Sequence, residues 1–192
     1  RNPQRVNIDL DGVFVFGLSR IVAAWLKIGE HLSDERISSL IEQDTVEIAY
    51  QRALRLLDRR QRSEKEIRLR LANYEFSSTQ IDSVIDKLKT ANLIEDREFA
   101  RSWVENRNEF HPRSKKLMRY ELRKKGIEDE YIDDALEVSV EDLALANKAA
   151  ILYSHRLEGI DQESFRTRLS GYLARRGFSY GLAAPIINKL WQ

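Results

Sequence analysis

The sequence predicts a mainly α-helical protein of tandem three-helix repeats, preceded by a small β-hairpin. Only 8 glycines and 3 prolines interrupt 192 residues, and 33% of the residues are charged, which favours helices over a barrel or sandwich. A tight-turn signal stands near the amino terminus, and one apolar pattern recurs three times at a spacing of 51 residues. Repeats of this kind stack on their neighbours, so we expect an elongated, curved array.

The first element is the hairpin. Residues 6–10 alternate between apolar and polar side chains, residues 13–16 are apolar, and Asp11-Gly12 lies between the two runs. Asp-Gly is a strong signal for a two-residue hairpin turn, because both turn positions need positive φ.

Extra helices are predicted between the hairpin and the repeats. Ser19 is a candidate N-cap for a helix that runs through Ile28, and Ser33 for the next one. Asp44 and Glu47 have the spacing of a capping box, which predicts that a further helix opens there.

The repeats are recognised by five apolar positions that keep their spacing in three copies without a gap. Any amphipathic helix pair supplies five such positions once, but constancy over three copies indicates one supersecondary unit used repeatedly. The three sets are Ile67, Leu71, Phe76, Ile81, Ile85; Met118, Leu122, Ile127, Ile132, Leu136; and Leu169, Leu173, Phe178, Ala183, Ile187.

Each repeat is predicted as helix, tight turn, helix. Ser63 and Ser77 head capping boxes in the first copy. Gly126 and Gly177 supply the left-handed residue that ends a helix, whereas the first copy has Glu75 there. The predicted domains are residues 1–44 for the hairpin and extra helices, then repeats at 45–109, 110–158 and 159–192, the last lacking its third helix.

A formal net charge of +1 hides strong segregation of charge. Residues 113–125 hold seven Lys/Arg and one acid, whereas residues 127–142 hold eight Asp/Glu and no Lys/Arg. Three basic residues of the first repeat recur 51 positions later, which predicts a partner-binding surface, here called the basic stripe. It comprises Arg62, Lys65, Arg68, Arg113, Lys116, Arg119, Arg166, Arg168, Arg175 and Arg176.

The sequence supports no enzyme, metal site or cofactor. Gly12 and Gly17 have P-loop spacing, but the lysine of a P-loop is missing. The three histidines are far apart, and there is no cysteine to complete a metal site. No apolar run approaches the roughly 18 residues of a membrane span. Absence of cysteine fits a reducing cytosol, so we expect a cytoplasmic protein.

Three short motifs carry a resemblance to a known family. They are Arg59-Arg60-x-Arg62-Ser63, Leu93-Ile94-Glu95-Asp96-x-x-Phe99-Ala100 and Lys124-Lys125-Gly126-Ile127. Together they resemble the RecX family of bacterial recombination regulators, from about residue 49 to residue 137. The chain departs from the family at Glu75 and Asn92, where glycine is usual, and at Glu95, where aspartate is usual.

The resemblance implies a function. RecX-like proteins bind along the groove of the RecA filament on single-stranded DNA and suppress ATP hydrolysis, strand exchange and support of LexA cleavage. The expected partners are therefore the RecA filament and, as a second candidate, single-stranded DNA, with the chain itself a monomer. Two alternatives remain open at this point: a helix-turn-helix-like nucleic-acid-binding module and a helical protein-interaction scaffold.

Overall fold

The computed structural model describes residues 3–191. This part of the chain is mostly helical and divides into two compact units, the first ending at residue 94 and the second beginning at residue 95. The elements are β1 (Arg5–Leu10), β2 (Val13–Ser19), α1 (Arg20–Ala23), α2 (Asp34–Leu57), α3 (Glu64–Ala72), α4 (Ser78–Thr90), α5 (Asp96–Phe110), α6 (Lys115–Lys124), α7 (Asp129–Glu137), α8 (Asp142–Ser154), α9 (Gln162–Arg175) and α10 (Tyr180–Trp191).

The hairpin forms as predicted. Strands β1 and β2 pair antiparallel, and the turn residues Asp11 and Gly12 have φ values of 48° and 81°. A β-bulge follows Ile8, because Ile8 pairs with Phe16 whereas Asp9 pairs with Phe14. Strand β2 therefore has one residue more than β1 at that point, and this extra residue increases the local twist of the hairpin.

The elements predicted between the hairpin and the repeats need two corrections. The helix after Ser19 ends at Ala23 rather than Ile28, and the Ser19 side chain makes no capping hydrogen bond. The capping box at Asp44 is also wrong, because α2 begins at Asp34, is capped by Ser33 and continues through Asp44.

Asp44 instead holds the hairpin against α2. Its buried carboxylate accepts a hydrogen bond of 2.6 Å from the backbone N–H of Ser19 and one of 2.8 Å from the Arg5 guanidinium. A buried carboxylate needs such donors, and two residues of the hairpin provide them. The sequence spacing to Glu47 resembles a capping box, but the acid serves a tertiary contact.

The apolar positions that define the repeats form the cores, as predicted. Helices α3, α6 and α9 bury Leu71, Leu122 and Leu173 completely. The α2, α3 and α4 helices enclose the core of the first unit, and α5 to α10 enclose that of the second. Capping boxes at Ser63 and Ser77 open α3 and α4, as predicted.

The helices group differently from the predicted repeats. The sequence predicts α5 at the end of the first repeat, whereas in the structure α5 packs against α6 and α7 in the second unit. Helices α8, α9 and α10 pack together, so the last group has three helices and is not truncated. A period of 51 residues sets the spacing of the repeats but not the residue at which each begins.

The helices form three groups, α2 to α4, α5 to α7 and α8 to α10. In each group a left-handed residue follows the second helix, which is α3, α6 or α9. Glu75, Gly126 and Gly177 have φ values of 65°, 83° and 84°. After the last of these, the Phe178 N–H donates to the Leu173 carbonyl and the Gly177 N–H to the Ala174 carbonyl. This is the Schellman pattern, which satisfies helix-end carbonyls and turns the chain towards the third helix.

Gly177 also faces a steric limit that the left-handed Gly12, Gly29 and Gly159 escape. A Cβ atom added there would meet Ser114 Oγ and would lie 2.8 Å from Leu117 Cβ, at the start of α6. The Ser114 N–H donates a 3.0 Å hydrogen bond to the Arg176 carbonyl, so the backbone next to Gly177 is joined to the start of α6. The absence of a side chain lets α6 and the end of α9 approach closely.

We predict that Gly177→Ala lowers the free energy of unfolding by about 2–4 kcal/mol, since a left-handed alanine costs about 1 kcal/mol and overpacking adds about 1–3 kcal/mol. The control is Gly159→Ala, because Gly159 has φ +81° but open space around a Cβ atom. It should cost only about 1 kcal/mol. Urea denaturation measures both variants, and equal losses would contradict the close approach.

Candidate partner-binding surface

The basic stripe divides between the two units. Arg62, Lys65 and Arg68 belong to the first unit, at the start of α3 and along it. The other seven residues belong to the second unit, on α6 and α9 and at their ends. Within the second unit, the structure brings Arg113, Arg175 and Arg176 to one cleft.

Two of the recurrent arginines hold the helices of their own repeat together. Arg68 pairs with Asp82 of α4, and Arg119 pairs with Asp133 of α7, each at 2.5 Å. Arg119 and Asp133 each lie 51 residues after Arg68 and Asp82, so each of the two repeats contains the same interhelical ion pair. The hydrogen bond that the Arg68 guanidinium donates to Asp82 raises the pKa of Arg68, although partial burial acts in the opposite direction. The recurrence of these arginines therefore has a structural cause.

The arginines that precede α3 and α6 are also engaged. Arg62 donates a 3.0 Å hydrogen bond from Nε to the Leu56 carbonyl at the end of α2. Arg113 forms an ion pair with Glu121, and both residues line the cleft. Burial lowers the pKa of the Arg62 guanidinium, and the neighbouring Arg60 charge acts in the same direction.

The two lysines are the recurrent members of the stripe that remain open to a partner. Lys65 and Lys116 occupy equivalent places on α3 and α6, and both are exposed. Within residues 3–191, neither ammonium group has a carboxylate partner. On α9, Arg166, Arg168 and Arg175 are exposed as well. These side chains are the ones that a binding partner reaches without breaking an internal ion pair.

The cleft between α6 and α9 concentrates arginine. Its volume is about 330 Å³, and its lining consists of Arg113, Leu117, Glu121, Tyr172, Arg175 and Arg176. Burial lowers the pKa of Arg113, and the nearby charges of Arg107 and Arg176 lower it further. Guanidinium groups that crowd each other in this way favour an added anion, such as a carboxylate or phosphate.

Glu121 is the carboxylate that positions the neighbouring side chains of this cleft. It accepts hydrogen bonds of 3.1 Å from the Trp103 indole and 3.3 Å from Arg107 Nε, in addition to its pairing with Arg113. The Arg107 guanidinium lies 4.0 Å from the centre of the Trp103 ring. One acid therefore organises two arginines and an aromatic ring.

The opposite wall of the cleft is aromatic. Tyr172 stacks on Tyr153 with ring centres 3.9 Å apart, and the Arg176 guanidinium lies 4.5 Å from the Tyr172 ring centre. Arg176 also donates to the Pro112 carbonyl at 3.0 Å. These contacts fix the direction of Arg176 towards the cleft.

Sequence reasoning missed Arg107, Glu121 and Tyr153 as neighbours of the stripe. Arg107 is on α5, which the sequence assigned to a different repeat. Glu121 is the one acid in residues 113–125, and that isolation is the signal that marks it.

Residues 3–191 hold neither a candidate metal site nor a candidate membrane-spanning helix. No group of three or more His, Asp or Glu side chains is arranged to hold a metal ion there. No helix of that range has both the length and the apolar character required to cross a membrane.

Comparison with known proteins identifies the family. Residues 49–88 match the family model described as RecX, first three-helix domain, and residues 96–136 match RecX, second three-helix domain. The regulatory protein RecX of Bacillus pumilus (strain SAFR-032) is 32% identical over 195 residues, which cover 100% of this chain and 73% of that protein. The chain belongs to the RecX family.

Other RecX proteins show the same similarity. The regulatory protein RecX of Prosthecochloris aestuarii is 37% identical over 142 residues, covering 74% of this chain and 93% of its own length. A crystal structure of regulatory protein RecX superposes with a TM-score of 0.73 at 27% identity, covering 98% of this chain and 95% of that one. The second RecX model spans α5, α6 and α7, which agrees with the grouping of helices described above.

We predict that Glu121→Ala lowers the free energy of unfolding by about 1–3 kcal/mol, because Trp103 and two arginines lose their shared acceptor. Glu121→Gln should cost less, since the amide oxygen still accepts from the indole. Urea denaturation followed by tryptophan fluorescence measures both.

The matched control is Glu98→Ala, which removes an exposed pair with Arg101 and should cost less than about 1 kcal/mol. A Glu121→Ala protein as stable as this control would contradict the organising role of Glu121.

Proposed function

We propose that this chain is a non-catalytic regulator of RecA. It binds the RecA filament on single-stranded DNA and restrains ATP hydrolysis, strand exchange and support of LexA cleavage. Membership of a family of regulatory proteins supports the regulatory role, and the RecX resemblance supplies the partner. The proposed setting is the bacterial cytoplasm during DNA repair and the SOS response, with the chain acting as a monomer.

The observation that carries the proposal is the pair of equivalent exposed lysines. Lys65 and Lys116 occupy equivalent positions on α3 and α6, and neither has a carboxylate partner within residues 3–191. A partner that is itself built from repeating subunits presents equivalent acidic groups, so equivalent cations match it. The exposed arginines of α9 and the arginine cleft extend this positive surface.

Direct reading of DNA by a helix-turn-helix is the weaker alternative. In that mode the recognition helix enters the major groove, close to phosphates. The third helix of the second group, α7, carries Asp129, Glu130, Asp133, Asp134 and Glu137. Its carboxylates repel a phosphate backbone, so contact with DNA is proposed only through the arginine cleft.

The experiment must separate binding from folding. Reversing Arg113 or Arg119 would set glutamate against Glu121 or Asp133, so those variants disturb the fold as well as the surface. Reversing Lys65 and Lys116 avoids this problem, since neither has an ion pair to lose within residues 3–191. The matched control is Lys27→Glu with Lys189→Glu, which changes the same charge at exposed lysines, one in each unit.

We predict that wild-type protein at substoichiometric amounts suppresses RecA ATPase on single-stranded DNA. The Lys65→Glu/Lys116→Glu variant should need about threefold to tenfold more protein for half suppression, because reversed charges slow association. The control double variant should behave like wild type.

Equal suppression by the lysine variant and wild type would refute the role of these lysines. No suppression by wild-type protein would refute the RecA function itself. Binding of single-stranded DNA without RecA is measured in parallel at rising salt, because phosphate contacts release counterions and weaken with salt. Salt-sensitive DNA binding with no effect on RecA would favour the nucleic-acid module.

A further inference from the structure

A second exposed surface lies in the second unit, and its character is opposite to that of the basic stripe. It surrounds the place where the end of α5, the α7–α8 connection and the start of α8 meet. Four large apolar side chains are exposed there: Phe110 at 65%, Val138 at 82%, Val140 at 46% and Leu143 at 58%. We call these four residues the α8 patch.

Hydrogen bonds show that these segments belong to one junction. Ser139, between the two valines, donates to the Asn108 side chain at 3.1 Å. Lys148 of α8 donates to the Asn108 carbonyl at 3.1 Å and pairs with Glu109 at 3.2 Å. Asp142 accepts from the Lys115 N–H at 2.8 Å, which joins the start of α8 to the start of α6.

Helix α8 itself carries more apolar surface than its own unit covers. Its inner face buries Leu145, Ala146, Ala149 and Ala150, yet Leu143, Ile151 and Leu152 remain about half exposed. Helices that are apolar on all sides are normally covered on all sides. Contiguous exposed apolar groups with a polar rim are typical of protein interaction sites.

The rim of the patch is acidic. Glu105 and Glu109 lie on the last two turns of α5, Glu137 ends α7, Glu141 precedes α8, and all four are exposed. Lys148 pairs with Glu109 and Lys115 with Glu141, so two of the four carboxylates are neutralised by lysine. Glu105 and Glu137 have no such partner within residues 3–191. The excess negative charge repels phosphate backbones and anionic lipid headgroups, and it attracts cationic protein segments.

We propose that the α8 patch docks a cationic amphipathic segment of a partner protein, with its apolar side chains on Phe110, Val138, Val140 and Leu143 and its Lys/Arg side chains on the acidic rim. This binding goes beyond the proposed contact of the basic stripe with the RecA filament and does not depend on it. An amphipathic helix with flanking lysines is the simplest form of such a segment.

The test uses the full chain and two labelled peptides of about four helical turns, with leucines at helical i, i+3, i+4 spacing. One peptide has lysine at every flanking position, and the other has glutamate. Fluorescence anisotropy measures binding. We expect the lysine peptide to bind, with affinity falling as salt rises, and the glutamate peptide to bind at least about tenfold more weakly.

Variants locate the binding. Phe110→Ser/Val138→Ser should weaken the lysine peptide by about tenfold or more, as for anchors of an interface. Glu105→Gln/Glu137→Gln should weaken it by about threefold and reduce its salt dependence. The matched control is Leu69→Ser/Tyr180→Ser, which changes similarly exposed apolar residues elsewhere, and it should bind like wild type.

Several results would overturn the proposal. Unchanged affinity in the Phe110→Ser/Val138→Ser variant, with circular dichroism like wild type, would remove the patch as the site. Equal binding of both peptides would remove the role of the rim. Light scattering that shows a dimer, lost in the same variant, would assign the patch to a second copy of this chain. Binding to anionic vesicles through the patch would assign it to a lipid surface.

Discussion

The fold depends on a sharp change of direction after the second helix of each group. Leu71, Leu122 and Leu173 are fully buried one turn before that point, so the third helix must come back over the same core. The chain can do this only through a residue in the left-handed conformation, which glycine adopts without strain. Where glycine is replaced by Glu75, the fold keeps the conformation at φ 65° and accepts the steric cost, because the core on both sides over-determines it.

The same constraint explains how much of the fold could be predicted. Buried positions on both sides of the turn are fixed relative to it, so their spacing repeats without a gap and is visible in the sequence. The first helices α2, α5 and α8 are joined by connections of different length, so they break the period and hide their grouping. The capping box predicted at Asp44 is wrong for a related reason. Its spacing to Glu47 is that of a capping box, but the role of Asp44 is decided by Ser19 and Arg5, which are distant in sequence.

The candidate site shows what repetition of charge can and cannot indicate. Arg68 and Arg119 recur because each joins two helices of its own repeat. Lys65 and Lys116 recur at equivalent places without such a pair within residues 3–191, and the proposed contact with a partner rests on them. Sequence alone cannot separate these cases, because the acids that pair with the arginines lie on another helix. Arg107, Glu121 and Tyr153 were missed because tertiary packing, not spacing, gathers them.

Segregation of charge within the second unit limits the kinds of partner it accepts. The cleft that Arg113 and Arg176 line attracts anions, whereas the rim that holds Glu105 and Glu137 repels them. A uniformly charged polymer satisfies one of these surfaces and is repelled by the other. A protein partner can satisfy both, because it can present acidic and basic groups on different parts of its surface. The segregation of charge is therefore consistent with the proposed protein partner, and contact with phosphate is proposed only at the cleft.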